Sequence, residues 1–243
     1  MRRVEVVPVE GIPEVREGAD LAALVASRAE LADGDVLVVA QKAVSKAEGR
    51  VVPLDRIEPS AEARELAGAD EDPRRMEAIL REAVRLVRVR GSLVIAETRH
   101  GFVCASAGVD ASNAGRPDAV VLLPLDPDAS ARRLRTRLRE LTGATVAVVV
   151  ADSFGRPWRQ GTTNVAVGAA GLPVLVDLSG RVDRTGYELH ATTIAVADEV
   201  AAAAELVMGK LDGIPAAIVR GLELEGDGSA RELVMPPERD LFR

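Results

Sequence analysis

Residues Thr145 to Ala151, TVAVVVA, carry no charge and are dominated by valine. A run this apolar and this rich in β-branched side chains folds as a strand buried on both faces. Such a strand needs layers of structure above and below it, and it constrains everything around it. The run stops at Asp152-Ser153, an acid and a hydroxyl presented where the expected strand ends. A polar loop follows from Gly155 to Gly161 and holds Trp158, the single tryptophan; Thr162, Thr163 and Asn164 close it. A charge at the lip of a buried strand is where open α/β sheets place chemistry. The alternative is a turn in which Asp152 only caps backbone amides.

Asp35 to Ala40, DVLVVA, reads as a second buried strand, delivering the chain into the polar segment Gln41 to Arg50. Within that segment Ser45 and Glu48 fit a capping box. Val4 to Val9 alternates as a strand and ends at the Gly11-Ile12-Pro13 turn. Apolar spacing predicts helices over 19–32, 60–68, 128–141 and 192–211. Another helix starts at Asp72-Pro73 and carries Met76, Ile79, Leu80, Ala83, Val84 and Val87 on one face up to Gly91. Leu93–Glu97 and Phe102–Ser106 read as a hairpin around Thr98 to Gly101. Shorter strands are expected at 120–123, 165–168, 174–178 and 216–219, with a polar loop at 180–190. Strands alternate with helices only in part, so the expected fold is α+β, with mixed sheets and packed helices. No linker or repeat divides the chain, and one domain over 1–243 is expected; two subdomains are the alternative, with no boundary between them visible.

Aromatic residues make up only 2%, so the core must be built from Val, Leu, Ile and Ala. A net charge of −7 argues against a general nucleic-acid binder. The single cysteine, Cys104, excludes an intrachain disulfide and a cysteine-based zinc site; in its apolar strand it reads as a packed thiol. No stretch reaches transmembrane length and MRRVEVVPVEG lacks a signal-peptide core, so a cytoplasmic location is expected.

P-loop, GxGxxG, GxSxG, HExxH and EF-hand patterns are absent. The two histidines, His100 and His190, cannot form a three-histidine metal site; His100 reads as a turn residue and His190 lies in a polar loop. What remains is a set of acids after apolar stretches: Asp110, beside Ser112 and Asn113, and Asp152, beside Ser153. Carboxylates among hydroxyls and amides suit hard cations such as Mg²⁺ or Mn²⁺, which in turn bridge phosphates. Of 31 basic residues only Lys42, Lys46 and Lys210 are lysine, each a point charge that could cradle phosphate.

Four blocks carry a family resemblance: QKAVSKAEGRVV (41–52), ETRHGFVCASAGVDASN (97–113), ADSFGRPWRQGTTNVAVG (151–168) and LVMGKLDGIPAAIVRG (206–221). Together they resemble coenzyme F420-0:γ-glutamyl ligases in the stand-alone form, without a nitroreductase-like second domain. The resemblance implies GTP-dependent ligation of L-glutamate to F420-0, in some members extended to a poly-γ-glutamyl tail. It further implies two divalent ions, Mn²⁺ or Mg²⁺, with K⁺ as an aid, and an intertwined homodimer. By motif, Asp110 and Asp152 would hold one metal and Ser153 would serve a second. Asn113, Gly11, Ile12, Pro13, Gln41, Lys42 and Lys46 would line the GTP site. So would Met208, Gly209, Lys210, Leu211, Asp212, Gly213, Ile214 and Pro215, although a lysine at 210 offers no metal-binding side-chain oxygen. Asp110 and Asp152 are the catalytic candidates. Arg156, Arg159, Arg181 and Arg184 are candidates for gripping F420-0 and glutamate, and Trp158 or Tyr187 for stacking on a flavin-like ring. The alternative is a metal-dependent phosphate-ester hydrolase using the same carboxylates. A nucleotide-binding regulator without turnover fits the polar strand ends less well.

Overall fold

The computed structural model describes residues 3–69 and 71–241. Met1, Arg2, Asp70, Phe242 and Arg243 lie outside the described residues, and with them both ends of the domain expected over 1–243.

The two apolar runs become β2 (Val36–Ala40) and β8 (Ala147–Arg156), which pair in parallel from Val36 opposite Ala147 to Ala40 opposite Ala151. With β1 (Glu5–Pro8), β12 (Ala216–Arg220) and β9 (Arg159–Ala170) they form a five-stranded sheet ordered β1-β12-β2-β8-β9. Its other pairings are antiparallel. Successive side chains leave opposite faces of a strand. Leu37, Val39, Val148 and Val150 therefore meet α1 (Leu21–Ala26) and α5 (Pro127–Thr142) on one face. Val36, Val38, Val149 and Ala151 meet α6 (Val196–Met208) on the other. Each large side chain so buried contributes about 1.5–3 kcal/mol before entropy is counted. Ala197, Ala201 and Ala204 keep the buried side of α6 small, which suits close approach to the sheet. Asp126 caps α5 through the Ala129 amide, Pro127 opens it, and Gly143 closes it at φ 77°.

Between β2 and β8, and ahead of α5, the chain builds a second body of structure. It begins with α2 (Gln41–Ala47) and β3 (Val51–Pro53), which pairs with β7 (Ala119–Val121). Between these come α3 (Ala61–Ala67), α4 (Pro73–Glu82) and the antiparallel sheet of β4 (Ala83–Arg90), β5 (Leu93–Thr98) and β6 (Val103–Ala105). Met76, Ile79, Val94, Ala96 and Val120 are the centre of its own core. A small pair, β10 (Val176–Asp177) and β11 (Thr193–Ile194), follows the main hairpin. The mixed α+β fold with several sheets is the one expected.

Several boundaries differ from the sequence reading. The strand does not end at Asp152: β8 continues to Arg156 and pairs with β9, whose range takes in Thr162 to Gly168. The expected polar loop is a hairpin arm turning at Pro157-Trp158, where Trp158 has φ 56°. The helix starting at Pro73 stops at Glu82, and Ala83, Val84 and Val87 belong to β4. There the alternation VRLVRVR satisfies a strand period, and pairing with β5 prevails over the helical one. Ser45 lies inside α2 and receives the Gln41 side chain, so it caps nothing. The helix expected over 192–211 is shortened to α6 by β11 at one end and Gly209 at the other, and α1 is shorter than 19–32.

Gly168 sits on β9 against the start of α5, where an added Cβ would stand 2.4 Å from the Pro127 carbonyl oxygen. Neither backbone can yield without moving the helix. Gly168→Ala is expected to cost about 2 kcal/mol in urea unfolding. Gly155→Ala, with nothing within 4 Å of the added carbon, should change stability by less than about 0.5 kcal/mol.

Candidate functional site

The parallel register sets Ala40 beside Ala151, so Gln41-Lys42 leaves the sheet next to Asp152-Ser153. A cleft of about 420 Å³ opens there. Of the expected nucleotide-site residues, Ile12, Pro13, Gln41, Lys42, Lys46 and Asn113 line it, as do Met208, Gly209, Lys210, Leu211, Gly213, Ile214 and Pro215. Asp152 and Ser153 line it too. Segments far apart in the chain thus converge on one space. Gly11, Asp110 and Asp212 are not among the lining residues. Gly11 shapes the turn at φ 74° and its carbonyl accepts from Arg28. The Asp212 carboxylate lies where a side chain at 209 would stand, 2.0 Å from an added Cβ, and the backbone there, at φ 57° and ψ 155°, favours glycine.

Asp110 reaches the cleft through Lys42, whose Nζ lies 2.7 Å from its Oδ2 and also donates to the Ser112 hydroxyl and carbonyl at 2.7 and 2.9 Å. Burial works against the Asp110 charge, but Lys42 and the Ser112 amide hold its carboxyl below the ordinary range. Asp152 is in the opposite position. Burial pushes its carboxyl up to about 6, with Asp110 adding to the rise and the Ser153 amide, Lys42 and Lys210 opposing it. Lys46, only 8% exposed, is paired with Glu14. Gln41 is fixed by the Ser45 hydroxyl at 2.6 Å and the Leu122 carbonyl at 3.1 Å. Asn113 donates to the Lys210 carbonyl at 3.4 Å, joining the insertion to the end of α6.

Glu14, Gly115, Asn164 and Glu205 also line the cleft and escaped the sequence reading. Asn164 owes its place opposite Ser153 to a strand pairing that only the structure shows; Glu205 is one polar position on a helix and carries no local signal. Arg156, Arg159, Arg181, Arg184, Trp158 and Tyr187 are exposed and lie outside the cleft lining. His100 does sit in a turn, but buried, with Nε2 on the Pro124 carbonyl at 2.9 Å. Cys104 is a packed thiol, pushed by burial up to about 12.

Among the described residues no three His, Cys, Asp or Glu side chains cluster closely enough for an all-protein metal cage. Mg²⁺-type ions instead use one or two carboxylates and complete their shell with water and phosphate. Asp152, Asp110 and the Ser153 hydroxyl fit that sparser set. The desolvated Asp152 is the side chain that a cation would relieve most.

A cleft at the carboxyl ends of adjacent parallel strands, with lysines and a shielded acid on its walls, is where an α+β enzyme works on an anionic ligand. Residues 11–221 match F420-0:Gamma-glutamyl ligase, and the chain belongs to this family. It is 52% identical to the coenzyme F420:L-glutamate ligase of Methanopyrus kandleri, over 99% of this chain and 97% of that one. Identity to the enzyme of the same name from Methanothermobacter thermautotrophicus is 46%, over 99% of both chains. For that of Archaeoglobus fulgidus it is 44%, over 99% and 97%. The chain is accordingly a ligase, an enzyme that forms an amide bond. No helix of the described residues is long and apolar enough to cross a membrane.

The raised Asp152 carboxyl predicts a sign. Its folded-state value, about 6, lies above the ordinary 3.8, so its contribution to stability is full below 3.8 and lost as pH rises through about 6. In chelator-treated protein near pH 8, Asp152→Asn is expected to raise stability by roughly 1–2 kcal/mol. The gain should vanish near pH 3.5, and thermal unfolding across pH measures it.

Proposed function

We propose that the protein ligates L-glutamate to coenzyme F420-0 at the expense of GTP, giving F420-1 and, with repeated addition, longer γ-glutamyl tails. The observation that carries this reading is the convergence of the family's motif segments, from Ile12 to Pro215, on one cleft. A carboxylate does not condense with an amine at neutral pH unless its oxygen is made a leaving group. The F420-0 carboxylate attacks the γ-phosphorus of GTP, and GDP leaves. The glutamate amine then attacks the acyl carbon of the acyl phosphate, loses a proton, and phosphate departs.

Lys42 and Lys46 are suited to the phosphates, as point charges on neighbouring turns of α2. Their present partners, Asp110 and Glu14, hold them oriented until a phosphate competes. The turn at Ile12-Pro13 and the segment from Met208 to Pro215 close the nucleotide site around them, with Asn113 bridging to Lys210. Asp152, Asp110 and Ser153 would hold Mn²⁺ or Mg²⁺, two ions by the family pattern, with K⁺ as an aid; bound there, divalent charge offsets the charge developing on the transferred phosphoryl group. Arg156 and Arg159 on the hairpin arm, with Arg181 and Arg184, remain the candidates for acceptor carboxylates. A homodimer belongs to the same reading. Leu206 and Leu211, 85% and 94% exposed beside the cleft, support burial against a second copy.

The test is one incubation with F420-0, glutamate, GTP and Mn²⁺, read by mass spectrometry and phosphate release. GTP consumption should require both F420-0 and glutamate. Release of phosphate from GTP or simple esters without them would instead establish the hydrolase. Lys46→Met is expected to weaken GTP binding by about tenfold or more. Its stability should change little, because Glu14 is 56% exposed and rehydrates once its partner is gone; calorimetric titration alongside thermal unfolding separates the two effects.

A further inference from the structure

Ser153 and Asn164 face each other across the β8–β9 pairing. The Ser153 hydroxyl lies 2.7 Å from Asn164 Oδ1, and Asn164 Nδ2 lies 2.8 Å from Glu205 Oε2 on α6. Asn164 is only 5% exposed, so its amide has little water to fall back on. The three side chains form a chain of hydrogen bonds running from a helix, through a strand, to the cleft.

Its direction is fixed by chemistry. An ionised carboxylate only accepts, so Glu205 selects the NH₂ end of Asn164. Turning the amide over would set its carbonyl oxygen against the carboxylate, two acceptors with no proton between them. With the NH₂ end committed, the carbonyl end faces Ser153, and a carbonyl only accepts. The Ser153 proton must therefore point at Asn164, which leaves both lone pairs of the hydroxyl oxygen available. The opposite amide orientation would make Ser153 an acceptor toward Asn164 and free its proton for the cleft. The hydroxyl would then favour an anion.

We propose that Glu205 and Asn164 are positioning residues that turn Ser153 into a cation-accepting oxygen. The proposal rests on the reading above that a divalent cation binds beside Asp152 and Ser153. It extends that reading to two residues of the cleft lining that act through Ser153. Hydrogen bonds behind a metal ligand commonly carry this task, by fixing the ligand's orientation and proton.

The experiment is titration of nucleotide-free protein with Mn²⁺, read by the electron paramagnetic resonance of the free ion, for Ser153→Ala, Asn164→Ala, Glu205→Gln and each combination with Ser153→Ala. Asn164→Ala should weaken Mn²⁺ binding by about tenfold. In the Ser153→Ala background the same change should cost nothing further, because a residue acting through Ser153 has nothing left to act on. Glu205→Gln should follow the same pattern and carries the test alone if thermal unfolding shows that Asn164→Ala does not fold. A loss that persists in the Ser153→Ala background would overturn the proposal in favour of through-space charge or general packing. So would unchanged affinity in Asn164→Ala and Glu205→Gln alongside a weakened Ser153→Ala. Unchanged affinity in Ser153→Ala itself would overturn the cation assignment, and the relay with it.

Discussion

Everything at the site depends on the pairing of β2 with β8, the one parallel pair in the main sheet among the described residues. Antiparallel neighbours leave a sheet at opposite ends; parallel neighbours leave at the same end. Here that geometry sets Lys42 and Asp152 beside one another although residues 43–151 separate them in the chain. The cost of bringing such distant segments together is met by burial on both faces of the sheet, with α1 and α5 on one side and α6 on the other. The arrangement also explains why α6 matters to chemistry: the helix that covers one face ends at Met208, and its exit strand of chain forms the opposite wall of the cleft.

Charge is distributed in the cleft with a clear asymmetry. Lys42 and Lys46 each have a carboxylate partner, and Asp110 is stabilised in its ionised form. Asp152 is the group whose charge the surroundings support least. With Lys42 and Lys46 already paired, an arriving polyanion competes with carboxylates, while an arriving cation meets an under-compensated acid. On the proposed reading, a divalent ion entering with the nucleotide would meet both requirements, because its charge would compensate Asp152 and part of the phosphate charge at once.

How much of this was legible in the sequence follows from how local each signal is. The valine runs of β2 and β8 are decided within a few residues, and the helix expected over 128–141 lies within one residue of α5 at each end. The extension of β8 past Asp152 was not legible, since Ser153, Gly155 and Arg156 look like loop until β9 is known to lie against them. The same holds at Ala83, where helix and strand periods coincide and β5 decides. Within the site, Lys42, Lys46, Asp152 and the segment at 208–215 were named because the motif blocks are contiguous. Glu14, Asn164 and Glu205 were not, because their importance lies in contacts between elements. Residues 156–159, candidates for the acceptor, lie on an exposed arm outside the cleft lining, a placement set by the β8–β9 pairing and by no local signal.

The strand order has a consequence for biogenesis. β12, the last strand among the described residues, does not extend the sheet at its edge but lies between β1 and β2. A nascent or C-terminally shortened chain therefore holds β1 without its neighbour and β2 with one side unpaired. The wall at Met208 to Pro215 cannot dock until Ala216 to Arg220 has been inserted. The geometry thus ties assembly of the cleft to insertion of β12, and a chain that lacks it presents open strand edges instead of a half-built site.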